Sequence, residues 1–180
     1  VFNNDVEEEI KLWREDFLSR ISNNPGDDKP QLQFKQIVKN NENGILSIVT
    51  EKYTYISGLH GNTWRIARTY DKEKDSIIRL GDLFIEKNYH KILNEKISDI
   101  IENKPDTYHD LWEMPVVDEK CENNFYLDSG NVIIFYEPYE LSYYARGVVE
   151  FSIPIEEIRG YIKEEYLCRI GKLRNVTSHP

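Results

Sequence analysis

The first part of the chain carries apolar residues at helical spacing. They recur every three or four positions, which places them on one face of a helix and leaves charged residues on the other. The apolar positions are Val6, Ile10, Trp13, Phe17 and Ile21. The pattern predicts a first helix that ends in the segment Ser22–Gly26, because Pro25 cannot continue a helix and Gly26 accepts a left-handed turn.

From Gln31 the apolar positions change to the alternation of a β-strand. Leu32 and Phe34 alternate with polar residues, and a second alternating run begins after Asn43-Gly44. This predicts a hairpin with an Asn-Gly turn. A further strand is predicted from Thr63 to Tyr70, followed by a charged turn at residues 71–75.

The second half repeats this order of helix and hairpin. Tyr89, Leu93, Ile97 and Ile101 have helical spacing, and Pro105 marks the exit from this second helix. Residues 106–124 show the least regular pattern in the chain. The runs at 125–127 and 132–136 flank a turn at 128–131 and predict a second hairpin, which a strand at 148–153 and a short helix opened by Pro154 follow.

These elements predict the α+β class, with an antiparallel sheet built from hairpins and two main helices packed on it. A chain of 180 residues is long enough for one sizeable core. We therefore expect a single domain over 1–180, with an N-terminal helix and hairpin subregion at 1–75 and a C-terminal one at 76–170.

The charge balance is acidic. Lys and Arg total 23 against 32 Asp and Glu, a formal net charge of -9. This charge repels phosphate backbones and anionic lipids and attracts a basic partner, although it also serves simple solubility. We expect no nucleic-acid partner. The sequence has no apolar run that would span a membrane and no signal peptide after Val1, and because Val1 is not an initiator we expect an upstream segment.

Catalytic and cofactor motifs are missing from the sequence. It has no GxSxG, HExxH, GxxxxGK[ST] or GxGxxG, so we predict no enzyme and no cofactor. His60 lies between Gly58 and Gly61. We expect both positions to adopt backbone angles that residues other than glycine resist. The four histidines show no ligand spacing, so we expect His60 to be packed or hydrogen-bonded and to bind no metal. Cys121 and Cys168 are compatible with either a disulfide or two free thiols.

A cluster of tyrosines follows the second hairpin. Tyr136, Tyr139, Tyr143 and Tyr144 lie in or beside a loop that contains Pro138. Tyrosine combines apolar area with a hydroxyl at low entropic cost, which suits a recognition surface. The alternative is a loop folded down onto the sheet with its rings in the core.

Several short segments together resemble a known family. They are SGLHG at 57–61, YD at 70–71, LGDLF at 80–84, FYL at 125–127, YEL at 139–141, YA at 144–145, Gly147 and EF at 150–151. In this order they resemble the extracellular domains of unknown function in RsiV-type anti-sigma factors. The chain departs from the family pattern at Leu59 and Gly61 around the histidine, and at Tyr143, where the family often has proline.

The resemblance implies a lysozyme-binding sensor domain on the extracellular face of the bacterial cell membrane. A single upstream span would connect it to a cytoplasmic segment that holds an extracytoplasmic-function sigma factor, and lysozyme binding would expose the sensor to proteolysis. Similar domains precede the catalytic part of some peptidoglycan deacetylases, so a glycan-binding or accessory module is the alternative. The residues expected to bind the partner are Ser57, His60, Tyr139, Ser142, Tyr143, Tyr144 and Arg146.

Overall fold

The computed structural model of the chain describes residues 2–23, 29–58 and 60–170 and confirms the α+β class. It differs from the predicted single sheet, because the strands form two separate antiparallel sheets. The first sheet has the order β1-β2-β3-β4, with β1 at Gln31–Glu42, β2 at Ile45–Tyr55, β3 at Asn62–Asp71 and β4 at Ser76–Ile78. The second has the order β5-β6-β7, with β5 at Phe125–Asp128, β6 at Asn131–Tyr136 and β7 at Val149–Pro154.

Both predicted helices are present. Helix α1 runs over Phe2–Asn23, and its predicted stop at Pro25 and Gly26 lies outside the described residues. Helix α2 runs over Tyr89–Asn103, and the turn α3 at Pro105–Tyr108 follows it. The short helix opened by Pro154 is α4 at Ile155–Ile158, and α5 at Glu164–Ile170 was not predicted. No helix in the described ranges combines the length and apolar character needed to cross a membrane.

Both hairpins turn on two residues with positive φ. Asn43 and Gly44 have φ of 48° and 75°, and Ser129 and Gly130 have φ of 51° and 82°. Two left-handed residues in succession give the turn whose twist matches that of paired strands. The predicted Asn-Gly hairpin and the second hairpin are therefore confirmed, with their turns at these positions.

The second sheet is buried on both faces. On one face, Leu127, Val132, Ile134 and Phe151 join the main apolar core, which also contains residues of α2. On the other face, a smaller cluster joins this sheet to the first one through Tyr126, Ile133, Phe135, Val49 and Ala67. A strand covered on both sides needs apolar residues throughout, which explains the unbroken run VIIFY in β6.

A buried pair of hydroxyl groups contributes to how the two sheets meet. Ser47 and Thr69, on neighbouring strands of the first sheet, lie 2.8 Å apart from oxygen to oxygen. The Leu127 main-chain N–H of β5 donates to the Ser47 hydroxyl at 3.0 Å. Since an unpaired buried polar group is costly, these hydroxyls favour one position of β5 over the first sheet.

Helix α1 lies on the first sheet. Trp13 stacks on Phe34 of β1, with 5.5 Å between ring centroids, and Glu9 forms an ion pair with Arg68 of β3. The Lys52 ammonium of β2 lies 4.9 Å from the Trp13 ring and 5.0 Å from the Trp64 ring. These contacts place α1 beside the part of β3 that β4 does not reach.

A buried ion pair holds helix α5 against the first sheet. Arg169 donates from both terminal nitrogens to Asp71, at 2.7 and 2.8 Å, and Asp71 is fully buried. The Arg169 Nε–H also donates to the Asn43 carbonyl at 2.9 Å. The hydrogen bonds from Arg169 hold the pKa of Asp71 at about 2, below its ordinary value. Nearby, Cys168 is an exposed free thiol, whereas Cys121 is a buried one, so no disulfide joins them.

Replacing Arg169 with Met should therefore lower the free energy of unfolding by about 3 to 5 kcal/mol, because it leaves the Asp71 carboxylate buried without its partner. The matched control is Lys91→Met, which removes an exposed ion pair with Glu95 and should cost less than about 1 kcal/mol. Urea denaturation monitored by circular dichroism measures both. Equal costs for the two variants would contradict a structural role for the Arg169–Asp71 pair.

Candidate functional site

Two loops that are distant in sequence meet at one end of the molecule. The tyrosine loop, residues 137–147, connects β6 to β7, and the histidine loop, residues 57–61, connects β2 to β3. The His60 ring stacks on Tyr144 with 4.7 Å between centroids, and the Tyr144 hydroxyl donates to the Gly61 carbonyl at 2.6 Å. Tyr139 lies 5.5 Å from Tyr144, centroid to centroid. The structure thus brings together predicted site residues from both loops.

The two glycines of the histidine loop are required for different reasons. Gly58 has φ of +100°, a conformation that other residues resist, and its carbonyl accepts from the Tyr55 hydroxyl at 3.1 Å. Gly61 does not have a positive φ. A Cβ atom there would lie 2.4 Å from the Tyr53 ring, so a side chain at this position would displace that ring. The expectation of special backbone angles is confirmed for Gly58 and wrong for Gly61.

Tyr139 and Tyr143 point away from the core. Their side chains are 55% and 50% exposed, whereas Tyr144 is partly covered and Tyr136 is buried. Tyr139 also has φ of 74°, which is uncommon for a residue with a side chain and costs conformational energy. The Glu140 N–H donates to the Glu137 carbonyl at 3.1 Å and holds the turn on either side of Tyr139. The loop is therefore folded so that rigid rings remain accessible.

Asp110 anchors the tyrosine loop from below. The Ser142 hydroxyl donates to the Asp110 carbonyl at 3.0 Å, and Arg146 forms an ion pair with the Asp110 carboxylate. Burial raises the pKa of Asp110, but hydrogen bonds from Tyr143 and Ser142 and the charge of Arg146 outweigh it and lower the pKa below its ordinary value. Ser142 is only 2% exposed. Ser142 and Arg146 thus hold the loop in place, while Ser57 lies exposed in the histidine loop.

An exposed apolar strip borders the tyrosine loop, and sequence reasoning missed it. Trp112, Met114 and Val116 are each more than half exposed, whereas Pro115 and Val117 between and beside them are buried. The main-chain N–H of Trp112 donates to the Leu141 carbonyl at 2.9 Å, which connects the strip to the loop. The alternation of apolar residues at 112, 114 and 116 was the available signal. We call Tyr139, Tyr143, Tyr144, His60 and Trp112 the aromatic surface.

A cluster of charged residues centred on Arg65 lies beneath the loop. The Arg65 guanidinium forms ion pairs with Glu51 at 2.9 Å and with Glu150, and the Tyr126 hydroxyl donates to Glu150 at 2.7 Å. The Arg65 main-chain N–H donates to Glu137 Oε1 at 2.7 Å. Burial raises the pKa of the Glu137 carboxyl to about 7. Glu137 is the first residue of the tyrosine loop, so this cluster joins the loop to β3.

The LGDLF segment is a structural element next to an open cavity. Leu80, Leu83 and Phe84 are buried, and the Asp82 carboxylate accepts from the Arg79 N–H at 2.8 Å. Glu122 accepts from the Gly81 N–H at 3.1 Å beside an open cavity of about 770 Å³. The residues that line this cavity include both acidic and basic side chains. Within the described ranges, no three His, Cys, Asp or Glu side chains form a group that could hold a metal ion.

Fold and site together define a class of protein, an α+β domain with two antiparallel sheets and a rigid exposed aromatic surface. Residues 81–156 match the model of a protein family of unknown function, DUF3298, and are therefore similar to that family. The match spans β5, β6 and β7 and the tyrosine loop. No curated protein matches the chain.

Two solved structures share the fold. A member of the DUF3298 family from Bacteroides fragilis superposes with a TM-score of 0.61 at 19% identity, covering 91% of this chain and 68% of its own. A DUF3298 family protein from Pseudomonas aeruginosa has a TM-score of 0.60 at 18% identity, with coverages of 84% and 68%. At this identity the likeness concerns the fold.

The pKa of Glu137 makes the stability of the domain depend on pH. The unfolded carboxyl ionises near its ordinary pKa of 4.5, but the folded one only near pH 7, so folding favours the protonated form. This contribution is complete below pH 4.5 and is lost as the pH rises through 7. Glu137→Gln lacks it, so its melting temperature should rise relative to the unmodified protein as the pH increases over this window.

The control for this measurement is Glu113→Gln, which makes the same charge change at an exposed position. Its difference from the unmodified protein should stay constant across the window. Thermal melts at half-unit steps of pH would measure both variants. A constant difference for Glu137→Gln as well would show that burial of Glu137 does not perturb its ionisation.

Proposed function

We propose that this domain binds a protein partner through the aromatic surface, and that the partner is lysozyme. The observation that carries the proposal is the combination of two exposed tyrosines, Tyr139 and Tyr143, with a backbone held rigid from below by Asp110. Exposed aromatic rings on a preorganised loop provide contact area without a large loss of entropy on binding. Interface hot spots are enriched in these residue types.

The charge of the chain supports a basic partner. A net charge of -9 creates a field that attracts cationic proteins and increases their rate of association. Lysozymes of animals are basic, and their substrate cleft carries carboxylates. The tyrosine loop would enter that cleft with Tyr143 foremost, while Ser142 and Arg146 maintain its shape from behind.

The resemblance to RsiV-type anti-sigma factors supplies the cellular setting of the proposal. The domain would lie on the extracellular face of the bacterial membrane, with a single span and a cytoplasmic segment upstream of this sequence to hold a sigma factor. Lysozyme binding would then trigger proteolysis of the sensor. The domain itself would act by binding alone, without catalysis or a cofactor.

Replacing Tyr143 with Ala should weaken lysozyme binding by roughly thirtyfold, equivalent to about 2 kcal/mol, because it removes a central aromatic anchor. Any inhibition of lysozyme activity should weaken in parallel. The matched control is Tyr161→Ala, a similarly exposed tyrosine away from the loop, which should leave the affinity unchanged. Titration calorimetry measures the affinities, and melting curves should show little change for either variant.

Unaltered binding by Tyr143→Ala and by the double variant Tyr139→Ala, Arg146→Ala would place the interface outside the tyrosine loop. The next residues to change would then be Ser57 and His60 of the histidine loop, whose His60 ring stacks on Tyr144. Absence of any binding to a basic lysozyme by the unmodified domain would refute the choice of partner.

Electrostatic steering predicts that association with lysozyme slows with added salt. Exposed charges are screened over about 10 Å at ~0.1 M ionic strength and over about 3 Å at ~1 M. Surface plasmon resonance should therefore show a falling association rate and a nearly constant dissociation rate as sodium chloride is increased. An association rate independent of salt would exclude the net charge from the binding mechanism.

A further inference from the structure

A cavity lies between helix α1 and the face of the first sheet that this helix covers. Lys52 of β2 is paired with Trp64 of β3, so their side chains share one face of the sheet, and Thr54 lies on the same face two residues along β2. The helix contributes Trp13 and Phe17, four positions apart, to the opposite wall. The enclosed volume is about 440 Å³, which is within the range of small-molecule binding sites.

The walls of this cavity are largely aromatic. Phe17 is buried, and one face of the Trp13 ring is covered by Phe34, with 5.5 Å between the two centroids. Trp64 is 41% exposed although it lies beside these rings. Aromatic side chains offer a large contact area to a flat apolar group. The cavity therefore suits a ligand that contains a planar ring.

The Lys52 ammonium lies inside this aromatic surrounding without a carboxylate partner. It is 4.9 Å from the Trp13 ring and 5.0 Å from the Trp64 ring, and it forms no ion pair or hydrogen bond with another described side chain. Burial lowers the pKa of Lys52, while the more distant charges of Asp16 and Glu9 oppose this effect. A partly desolvated cation attracts an anion more strongly than a hydrated one does.

The charges around the cavity favour an anion over a cation. Among the described residues that line it, three are basic and two are acidic, in a chain whose net charge is -9. Both acidic groups already have partners. Asp16 accepts from Arg20 Nε at 3.0 Å, and Glu137 accepts from the Arg65 main-chain N–H at 2.7 Å. These contacts stay in place when the cavity is filled, so the Lys52 ammonium remains the charge that a ligand can pair with.

We propose that this cavity is a second binding site, which takes a small organic acid composed of a flat apolar ring and one anionic group. The ring packs against Trp64 and Phe17, and the anionic group accepts hydrogen bonds from Lys52. The Thr54 hydroxyl and the Asn124 side-chain amide also line the cavity and hydrogen-bond to no other described residue. They are additional donors for the same anion.

The site shares no lining residue with the aromatic surface, so it is independent of the proposed binding to lysozyme. Suitable probes are 2-naphthoate, 2-naphthylmethanol and 2-naphthylmethylammonium, which carry the same ring with a negative, a neutral and a positive substituent. Titrations followed by the NMR shifts of main-chain amides measure both the affinity and the position of each ligand.

Naphthoate should bind at least roughly tenfold more tightly than the alcohol, as expected for a hydrogen bond to a charged group, and the ammonium compound should bind most weakly. The shifts should centre on Lys52, Thr54 and Trp64.

Lys52→Met retains the length of the side chain and removes its charge. It should reduce the affinity for naphthoate to near that for the alcohol and leave the affinity for the alcohol unchanged. The matched control is Lys35→Met, the same change at an exposed lysine of β1, which should affect neither ligand. Trp64→Leu should weaken the binding of all three ligands, whereas Trp112→Leu, on the aromatic surface, should not.

The proposal is overturned if naphthoate binds no more tightly than the alcohol, or if its shifts centre on the aromatic surface. It is also overturned if Lys52→Met binds naphthoate as well as Lys35→Met does. Should Lys52→Met fail to fold, the three ligands on the unmodified protein and the Trp64→Leu variant decide the question.

Discussion

The arrangement of the two sheets and of the site depends on one side chain, the guanidinium of Arg65. It is only 15% exposed and pairs with Glu51 of its own sheet and Glu150 of the other, while its Cζ atom lies 5.7 Å from the Phe135 ring centroid. A cation with this little solvent must be paired, because an unpartnered buried charge is strongly destabilising. Burial lowers its pKa, but the two carboxylates outweigh burial and raise it, so the charge is permanent.

The main chain of Arg65 also helps to position the tyrosine loop. Glu137 is held by the Arg65 main chain at one end of the loop, and Arg146 is held by Asp110 at the other. Between them the loop exposes Tyr139 and Tyr143, and Tyr144 is held by the histidine loop. Tyr143 hydrogen-bonds to Asp110 and Tyr144 donates to the Gly61 carbonyl, so these two tyrosines support the loop as well as forming part of its surface. Side chains held in this way by neighbouring hydrogen bonds are typical of preorganised binding surfaces.

The sequence predicted local structure well because the signals are local. The Asn43-Gly44 turn requires two left-handed residues in succession, and few residue pairs other than Asn-Gly provide them. The division into two sheets could not be predicted in this way, since the apolar run at 132–136 is equally consistent with several buried arrangements. The burial of Glu137 has no sequence signal at all. The contact of His60 with Tyr144 depends on tertiary structure, although the resemblance had already selected both residues.

The residues that cover the two faces of the second sheet extend beyond the segment that the family model matches. The DUF3298 match begins at residue 81 and ends at 156, and so excludes the strands that cover Tyr126, Ile133 and Phe135. It also excludes Ile158, Ile162 and Tyr166, which close the other side of the core. A fragment cut at those boundaries would expose the face of the three-stranded sheet that carries Tyr126, Ile133 and Phe135, and we expect it to self-associate. The segment that the family model matches is thus smaller than the unit of structure that buries both faces of this sheet.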